Sequence, residues 1–393
     1  MRICHLISGD LWAGAEVMGL RLLTGLAEKK GVEISAILLN EGKLAREIRN
    51  LGIRIDVVDE ARLNFFQIYK GFHDILIKFQ PDIVHTHRLK ENILGYLSSR
   101  KANRGISLIC TQHGLDEPNL RLKWKLLSRA NRYLMSRYFK CIVAVSEDMC
   151  ITLSEKYGLP AGKIVVIHNG TEIPEENNPD RRNHPFTIGS AGRFFPVKDF
   201  PFFVEVAAEV NRCVKDIRFE LAGEGPEFEN ITERIYRHGL QNAFHLKGFV
   251  EDISVFYMGL DLYINTSIHE GLPMSVLEAM SHGLPVIAPK DGGIKEVVTD
   301  GLQGFLIEGR DPKRFAQKCL AIYKDRNLRQ SMGAASREKV AKEYSIITMT
   351  EKYYELYKKI LSQTTNKEGE PSAWCTGMKN NQEAVRLKGN CVS

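Results

Sequence analysis

Short apolar runs alternate along the first 168 residues with segments whose apolar positions recur at helical spacing. Several runs are continuously apolar, as expected for strands of a parallel sheet that is covered on both faces. The pattern therefore predicts a doubly wound α/β domain over residues 1–168. Its predicted strands are residues 2–8, 32–39, 54–58, 82–87, 107–111, 141–145 and 163–167, with helices that include 16–26 and 68–79.

The pattern breaks after residue 168 and then restarts. Residues 169–185 are rich in Pro, Asn and charged residues and have almost nothing to bury, which predicts an interdomain linker. A second α/β domain is predicted over residues 186–345. Its strands are expected at residues 186–190, 217–222, 244–247, 262–265, 285–288 and 304–307.

The chain is helical in pattern from residue 311 to about residue 362. Within it, residues 346–362 are expected to form a C-terminal helix that crosses back to the first domain. Residues 363–393 contain few aliphatic side chains and are predicted to be a disordered tail.

Composition excludes several classes of protein. The 393 residues suffice for two to three domains, and no apolar stretch approaches the roughly 18 residues that a membrane span needs. The first ten residues lack the apolar region of a signal peptide, and the eight Cys form no C-x-x-C pair that would indicate a zinc site. A cytoplasmic protein is therefore expected.

The net charge of +6 is unevenly distributed. Residues 1–175 carry 25 basic and 19 acidic side chains, whereas the remainder carries 29 of each. Residues 119–140 hold seven cations and no acid, interleaved with apolar side chains, a pattern typical of a helix at an anionic membrane or a lipid-diphosphate acceptor. The alternative is a helix with its apolar stems in the core and solvated cations. No nucleic-acid-binding motif accompanies the charge. The candidate acceptor or membrane residues are Arg121, Lys123, Lys125, Arg129 and Arg132.

Ligands of open α/β sheets bind beyond the carboxyl ends of the strands, so the residues that follow each strand are the candidates. Gly14 lies in a loop that opens a helix, where backbone N–H groups can approach phosphate, although a tight turn explains it as well. His85 and His87 lie at the end of the fourth strand. We expect them to point to opposite faces, so that they share no metal and one is a structural core residue. His113 follows the fifth strand and is placed to donate to a sugar hydroxyl or a phosphate oxygen.

Two cations follow the first strand of the second domain. Arg193 and Lys198 flank a turn at a helix start, an arrangement suited to a diphosphate, the alternative being a solvated surface pair. Gly223 lies in a second glycine turn after a strand and is a candidate donor-binding residue.

The sharpest motif places Glu270 and Glu278 on either side of a predicted helix start, with Pro273 at its first position. The two carboxylates are expected to be unpaired and to occupy two levels of one pocket wall, the alternative being partners of the helix dipole. Backbone N–H groups of the intervening segment would face an anion or hydroxyls. That segment consists of Gly271, Leu272, Pro273 and Met274.

This ordered series resembles the retaining GT-B glycosyltransferases of family 4, over about residues 2 to 360 and most strongly over 186–308. The resemblance implies two facing Rossmann-like domains, with the nucleotide-sugar donor held by the second and the acceptor by the first. It implies that Arg193 and Lys198 bind the donor diphosphate. It implies that Glu278 holds the ribose and that Glu270, with the N–H groups of residues 271–274, holds the transferred sugar. His113 would face the sugar and phosphate, and the Gly14 loop would close over the diphosphate.

The implied reaction moves a hexose or N-acetylhexosamine from a nucleotide-sugar, UDP in preference to GDP, to a lipid-linked saccharide in cell-surface polysaccharide or lipopolysaccharide synthesis. No Asp-x-Asp is placed to hold a metal, so no cofactor is expected. The enzyme would be peripheral on the inner face of the cytoplasmic membrane. Lys295 and Gly114 depart from the family pattern, which commonly has Pro and Asp there. The alternatives are a nucleotide-sugar 2-epimerase-like enzyme and a non-catalytic nucleotide-sugar-binding subunit.

Overall fold

The structure, a computed structural model, describes residues 1–9, 12–102, 105–114, 122–175 and 184–365. Every predicted strand is present in these ranges, with ends that differ from the prediction by one residue at most. The strands are β1 Arg2–Ile7, β2 Glu33–Leu38, β3 Arg54–Val57, β4 Ile83–Thr86, β5 Ser107–Gln112, β6 Cys141–Ala144, β7 Ile164–Val166, β8 Phe186–Ala191, β9 Ile217–Ala222, β10 Phe244–Gly248, β11 Leu262–Ile264, β12 Val286–Pro289 and β13 Gly304–Ile307.

The strands form two sheets in which every described pair is parallel. The first has the order β3-β2-β1-β4-β5-β6-β7 and the second the order β10-β9-β8-β11-β12-β13. In each sheet the order reverses beside the first strand, between β1 and β4 and between β8 and β11. Such a switch point leaves a crevice at the carboxyl ends of the two strands, because the crossover helices on either side lie on opposite faces.

Helices fill the intervals, as the apolar spacing predicts. The predicted helix over 68–79 is longer at its start, because the Asn64 side chain accepts from Gln67 N in a capping box. The helices are α1 Gly14–Ala27, α2 Lys43–Asn50, α3 Phe65–Phe79, α4 Leu89–Ala102, α5 Leu122–Tyr138, α6 Glu147–Ile151, α7 Phe200–Cys213, α8 Phe228–Arg237, α9 Ile253–Met258, α10 Met274–Ser281, α11 Ile294–Val297, α12 Pro312–Lys324, α13 Arg326–Glu343 and α14 Ile346–Thr365.

None of the helices in the described ranges combines the length and the apolar character that a membrane crossing requires.

The chain divides into two compact units, each built on one sheet. The first holds the described residues of Met1–Asp10, Lys29–Ile167 and Tyr353–Ser393, and the second those of Leu11–Glu28 and His168–Lys352. Helix α1 therefore groups with the second unit, although its sequence lies in the predicted first domain. Helix α14 contributes residues to both units, up to Lys352 to one and from Tyr353 to the other.

The predicted linker is partly buried where the structure describes it. Asn169 and Thr171 are buried, and Thr171 N donates to Tyr344 O at 2.8 Å while Ile346 N donates to Thr171 O at 3.1 Å. The expectation that this segment has almost nothing to bury is wrong for these residues, because backbone pairing draws them in. Residues 176–183 of the linker and 366–393 of the predicted tail lie outside the described residues.

Candidate active site

The switch point of the second sheet brings the predicted donor residues to one place. The loop after β8 carries Arg193 and, one short turn later, Lys198, and the loop after β11 carries Glu270. Strands β8 and β11 are hydrogen-bonded neighbours, so their carboxyl ends emerge side by side. Strand order thus places residues that lie more than 70 positions apart in the sequence at one edge.

Lys198 and Glu270 form an ion pair at this edge. The Lys198 ammonium contacts Glu270 Oε1, and the Ser267 hydroxyl donates to the same oxygen at 2.6 Å. The two side chains are only 22% and 16% exposed. Thr266 Oγ1 also donates to the Lys198 carbonyl at 2.9 Å, which joins the two loops. The expectation that Glu270 is unpaired is therefore wrong, because the turn after β8 carries Lys198 to it.

Glu278 is paired as well, with partners that sequence reasoning missed. Arg21 Nη2 donates to one carboxylate oxygen at 2.9 Å, and the Tyr257 hydroxyl donates to the other at 3.0 Å. Burial and the neighbouring carboxylate raise the pKa of Tyr257 well above its ordinary value, so the phenol stays protonated and remains a donor. These contacts fix the carboxylate in one orientation on α10.

Arg193 has a different environment. Its guanidinium carbon lies 4.6 Å from the centre of the Phe195 ring, a cation–π contact. No carboxylate pairs with it among the residues that the structure describes. Of the two predicted diphosphate cations, one is therefore held by a carboxylate and the other by a ring.

Helix α10 begins one residue later than predicted. Pro273 is the N-cap, with an extended ψ of 116°, and Met274 is the first helical residue. Pro273 has no backbone N–H, so the possible backbone donors of this segment are Gly271, Leu272 and Met274. Gly14 at the start of α1 lies beside Met274, since a β-carbon on Gly14 would be 3.3 Å from Met274 Cγ. Two predicted donor-binding loops thus meet within the second unit.

Gly223 is required by backbone packing. Its φ is +136°, and its N–H donates to Gly248 O at 2.8 Å. A β-carbon there would lie 1.9 Å from the Gly192 carbonyl oxygen, directly before Arg193. The glycine turn therefore supports the loop that carries the cation.

The first unit gathers a cluster of histidines at its own switch point. His5 of β1 pairs in register with His85 of β4, and His87 follows two residues later. All three are buried, and their ring nitrogens lie within 4.8 Å of one another. The prediction that His85 and His87 point to opposite faces is wrong, because side chains on a strand alternate and residues i and i+2 share a face.

The histidine rings have well-defined partners. His85 bonds the Tyr357 hydroxyl at 2.6 Å through Nδ1 and the Thr111 hydroxyl at 2.8 Å through Nε2. His87 Nδ1 lies 3.1 Å from Nε2 of His113, the predicted catalytic histidine. Burial lowers the pKa of His113 to about 3, so this ring is neutral at physiological pH.

The predicted basic helix is α5, and its apolar side chains are not all in the core. Trp124, Leu126 and Tyr133 are 45%, 55% and 60% exposed, and Lys123 and Lys125 are exposed beside them. Of the other predicted cations, Arg129 is exposed and Arg132 lies 5.2 Å from the Tyr157 ring. Arg121 lies outside the described residues. The alternative of apolar stems in the core does not account for the first turns of this helix.

Two family models match consecutive parts of the chain. Residues 12–173 match Glycosyltransferase Family 4, and residues 172–339 match Glycosyl transferases group 1. Together with the two doubly wound parallel units, these matches define a glycosyltransferase of the GT-B class that acts on nucleotide-sugars. Within that class, the chain belongs to glycosyltransferase family 4, group 1.

Relatives agree with this family, and a solved structure agrees with the fold. The chain is 29% identical over 305 residues to the UDP-Gal:alpha-D-GlcNAc-diphosphoundecaprenol alpha-1,3-galactosyltransferase of Escherichia coli, covering 73% of this chain and 78% of that one. It is 24% identical over 295 residues to the N-acetyl-alpha-D-glucosaminyl L-malate synthase of Bacillus anthracis, covering 72% and 76%. The crystal structure of Anabaena HepE in complex with UDP and glucose superposes with a TM-score of 0.81 at 20% identity, covering 91% and 99%.

We expect Gly223→Ala to destabilise the protein by at least about 2 kcal/mol, because its β-carbon meets a backbone atom that no rotamer change can move. Thermal unfolding of the purified protein measures this. The matched control is Gly162→Ala, where nothing lies within 4 Å of the new carbon and the melting temperature should be unchanged. Equal melting temperatures for the two variants would contradict the packing argument.

Proposed function

We propose that this glycosyltransferase is a retaining enzyme that moves a hexose or an N-acetylhexosamine from a UDP-sugar to a lipid-linked saccharide in cell-surface polysaccharide or lipopolysaccharide synthesis. The observation that carries the proposal is the meeting of Arg193, Lys198 and Glu270 at the switch point of the second sheet. Two cations and a carboxylate at such an edge suit a sugar linked to a diphosphate.

In this proposal the donor is held by the second unit. Arg193 and Lys198 bind the diphosphate, Glu278 accepts from the ribose hydroxyls, and Glu270 accepts from the hydroxyls of the transferred sugar. Backbone N–H groups of Gly271, Leu272 and Met274 assist Glu270. The part-buried Lys198–Glu270 pair holds both side chains at the same edge of the sheet before the donor arrives.

The chemistry breaks the bond between the anomeric carbon and the diphosphate oxygen. Negative charge develops on the leaving diphosphate, and fixed cations stabilise it in the transition state. The acceptor oxygen attacks from the same face, forms the new bond to the anomeric carbon and gives its proton to the departing phosphate, which retains the configuration. His113 would donate a hydrogen bond to an oxygen of the sugar or the phosphate. We infer that the two side-chain cations act without a metal ion.

UDP is the preferred nucleotide in this proposal. The named donor of the Escherichia coli relative is UDP-Gal, and Anabaena HepE is described in complex with UDP and glucose. The same E. coli name contains a diphosphoundecaprenol acceptor, which is the basis for proposing a lipid-linked one here.

Release of nucleoside diphosphate from UDP-, GDP- and ADP-sugars tests the donor and the metal together. We expect turnover with a UDP-sugar, at a rate that excess EDTA leaves within about twofold, because Arg193 and Lys198 neutralise the leaving group. Titration with UDP, GDP and ADP should give the tightest binding for UDP. A preference for GDP would contradict the proposal of a UDP-sugar donor. Loss of activity in EDTA that Mg²⁺ restores would contradict the metal-free mechanism. Binding without turnover would favour a nucleotide-sugar-binding subunit.

Isosteric changes in the central ion pair should separate catalysis from folding. We expect Lys198→Met and Glu270→Gln each to lower kcat/KM for transfer by about a hundredfold, or roughly 2.7 kcal/mol of transition-state stabilisation. The control is Lys290→Met, which removes an exposed Lys–Glu pair of 2.9 Å and should leave the rate unchanged. Near-normal transfer by Lys198→Met, with a native melting temperature, would refute the assignment.

Helix α5 is the surface that we propose to meet the membrane, as a peripheral contact on the inner face of the cytoplasmic membrane. Its first turns combine the exposed cations Lys123 and Lys125 with the exposed Trp124 and Leu126. Cations attract anionic headgroups, and an indole ring inserts at the interface between headgroups and chains. A lipid-linked acceptor lies in that interface, so docking there would bring the enzyme to its substrate.

Flotation with vesicles tests the docking surface. We expect the protein to float with phosphatidylglycerol vesicles but not with phosphatidylcholine vesicles, and high salt should release it. Lys123→Glu/Lys125→Glu should weaken binding at least about tenfold, since each cation near the surface contributes about 1 kcal/mol. Lys324→Glu/Lys342→Glu makes the same charge change on exposed residues of α12 and α13 and should bind like the unchanged protein. Equal flotation with both lipids would contradict this surface.

A further inference from the structure

Three histidine rings in the first unit are joined in a row. His5 Nδ1 lies 3.2 Å from His87 Nε2, and His87 Nδ1 lies 3.1 Å from His113 Nε2. Both pairs have ring centres 5.4 Å apart and ring planes within 24° of each other. These values fit rings that share N–H···N hydrogen bonds nearly in plane, so the three side chains form one continuous hydrogen-bonded chain.

The two ends of this chain differ. At the inner end, His5 Nε2 is buried and has no hydrogen-bond partner among the described residues. At the outer end, His113 is only partly buried, and its Nδ1 is the ring nitrogen left for a ligand. The outer end is therefore the end that a substrate can reach.

All three rings are neutral at physiological pH. Burial lowers the pKa of His5 and of His113 to about 3 and that of His87 well below its ordinary value, and the nearby Arg88 acts in the same direction on His87 and His113. A neutral imidazole carries one N–H and one lone pair. The hydrogen bonds must therefore all run in the same direction, either outward from His5 or inward from His113.

The buried inner end decides the direction. If the bonds run inward, each ring carries its proton on Nε2, and His5 buries an N–H that has no acceptor. If they run outward, each ring carries its proton on Nδ1, and His5 buries only a lone pair. Buried N–H groups without an acceptor are rare in folded proteins, and buried acceptors without a donor are somewhat less rare.

We propose that His5 and His87 are positioning residues that hold His113 in the tautomer with its proton on Nδ1, so that His113 offers a hydrogen-bond donor to an oxygen of the bound substrate. The nature of that oxygen, on the transferred sugar or on the diphosphate, rests on the proposed function. A hydrogen-bond donor can serve either oxygen. On a phosphate oxygen it would also stabilise the negative charge that develops as the bond breaks.

A metal site is the competing interpretation of the same cluster, and the geometry opposes it. His5, His85 and His87 bring three nitrogens within 4.8 Å, as metal ligands would. Both nitrogens of His85, however, already bond hydroxyl groups, and its ring stacks on His87 with centres 4.6 Å apart and planes at 22°. The lone pairs of two rings stacked in this way lie in separate, nearly parallel planes and do not converge on one ion.

The tautomer can be read directly in the free protein, independently of any transfer activity. Long-range ¹H–¹⁵N correlation spectra of histidine-labelled protein distinguish Nδ1–H from Nε2–H rings, and the signals lost in His113→Gln assign His113 among the eleven histidines. We expect the Nδ1–H pattern for His113. An Nε2–H pattern would overturn the proposal, as would Zn²⁺ that binds stoichiometrically and shifts the His5 and His87 signals.

Two buried substitutions separate positioning from packing. His5→Leu removes the donor at the inner end, so His113 should lose its single pattern and show the Nε2–H form as well. His85→Leu removes an equally buried ring and two hydrogen bonds but leaves the chain from His5 to His113 in place, so His113 should keep the Nδ1–H pattern. An unchanged His113 in folded His5→Leu would overturn the role of His5.

The same pair of variants connects the tautomer to the reaction. Because a histidine in the wrong tautomer cannot present its proton to the substrate, kcat for release of UDP should fall at least about tenfold in His5→Leu, with little change in KM. A fully active His5→Leu whose His113 has changed tautomer would show that the tautomer does not serve the reaction. If the unchanged protein releases no UDP from any sugar nucleotide, the proposed function fails, while the tautomer measurement still stands.

Discussion

The parallel pairing of the strands is the constraint on which both candidate sites depend. In a parallel sheet all carboxyl ends emerge at one edge, and a reversal of strand order opens a crevice there. The reversal between β8 and β11 brings Arg193, Lys198 and Glu270 together, and the reversal between β1 and β4 gathers the histidines. The backbone hydrogen bonds of each sheet thus determine where the candidate functional side chains of that unit lie.

Both carboxylates of the candidate donor site are already paired with other side chains of the protein. Glu270 is engaged by Lys198 and Ser267, and Glu278 by Arg21 and Tyr257. A carboxylate in such a part-buried place loses hydrogen bonds to water, and these contacts replace them. Each carboxylate therefore holds one orientation, which is the condition for accepting hydrogen bonds from sugar hydroxyls without reorganisation.

The sequence predicted the strands well because buried parallel strands are continuous apolar runs, and it located the site edge because ligands lie beyond strand ends. The errors had different causes. Pro273 was placed one position too far into α10, since a cap depends on the dihedral angles of one residue. The faces of His85 and His87 were assigned against the two-residue period of a strand. Arg21 could not be found as the partner of Glu278, because 257 residues separate them and no local pattern connects them.

Because α1 groups with the second unit, that unit depends on a segment from the beginning of the chain. The helix lies early in the chain, yet its contacts belong to the second unit, where Arg21 holds Glu278. A cut at residue 168 would therefore produce a C-terminal fragment that lacks α1, in which the Glu278 carboxylate has lost Arg21. Exchange of C-terminal halves between relatives would disturb the same contact. The first helix of one protein would then have to fit helix α10 of the other. Exchange of halves between members of this family would thus succeed only when α1 is transferred together with the second half.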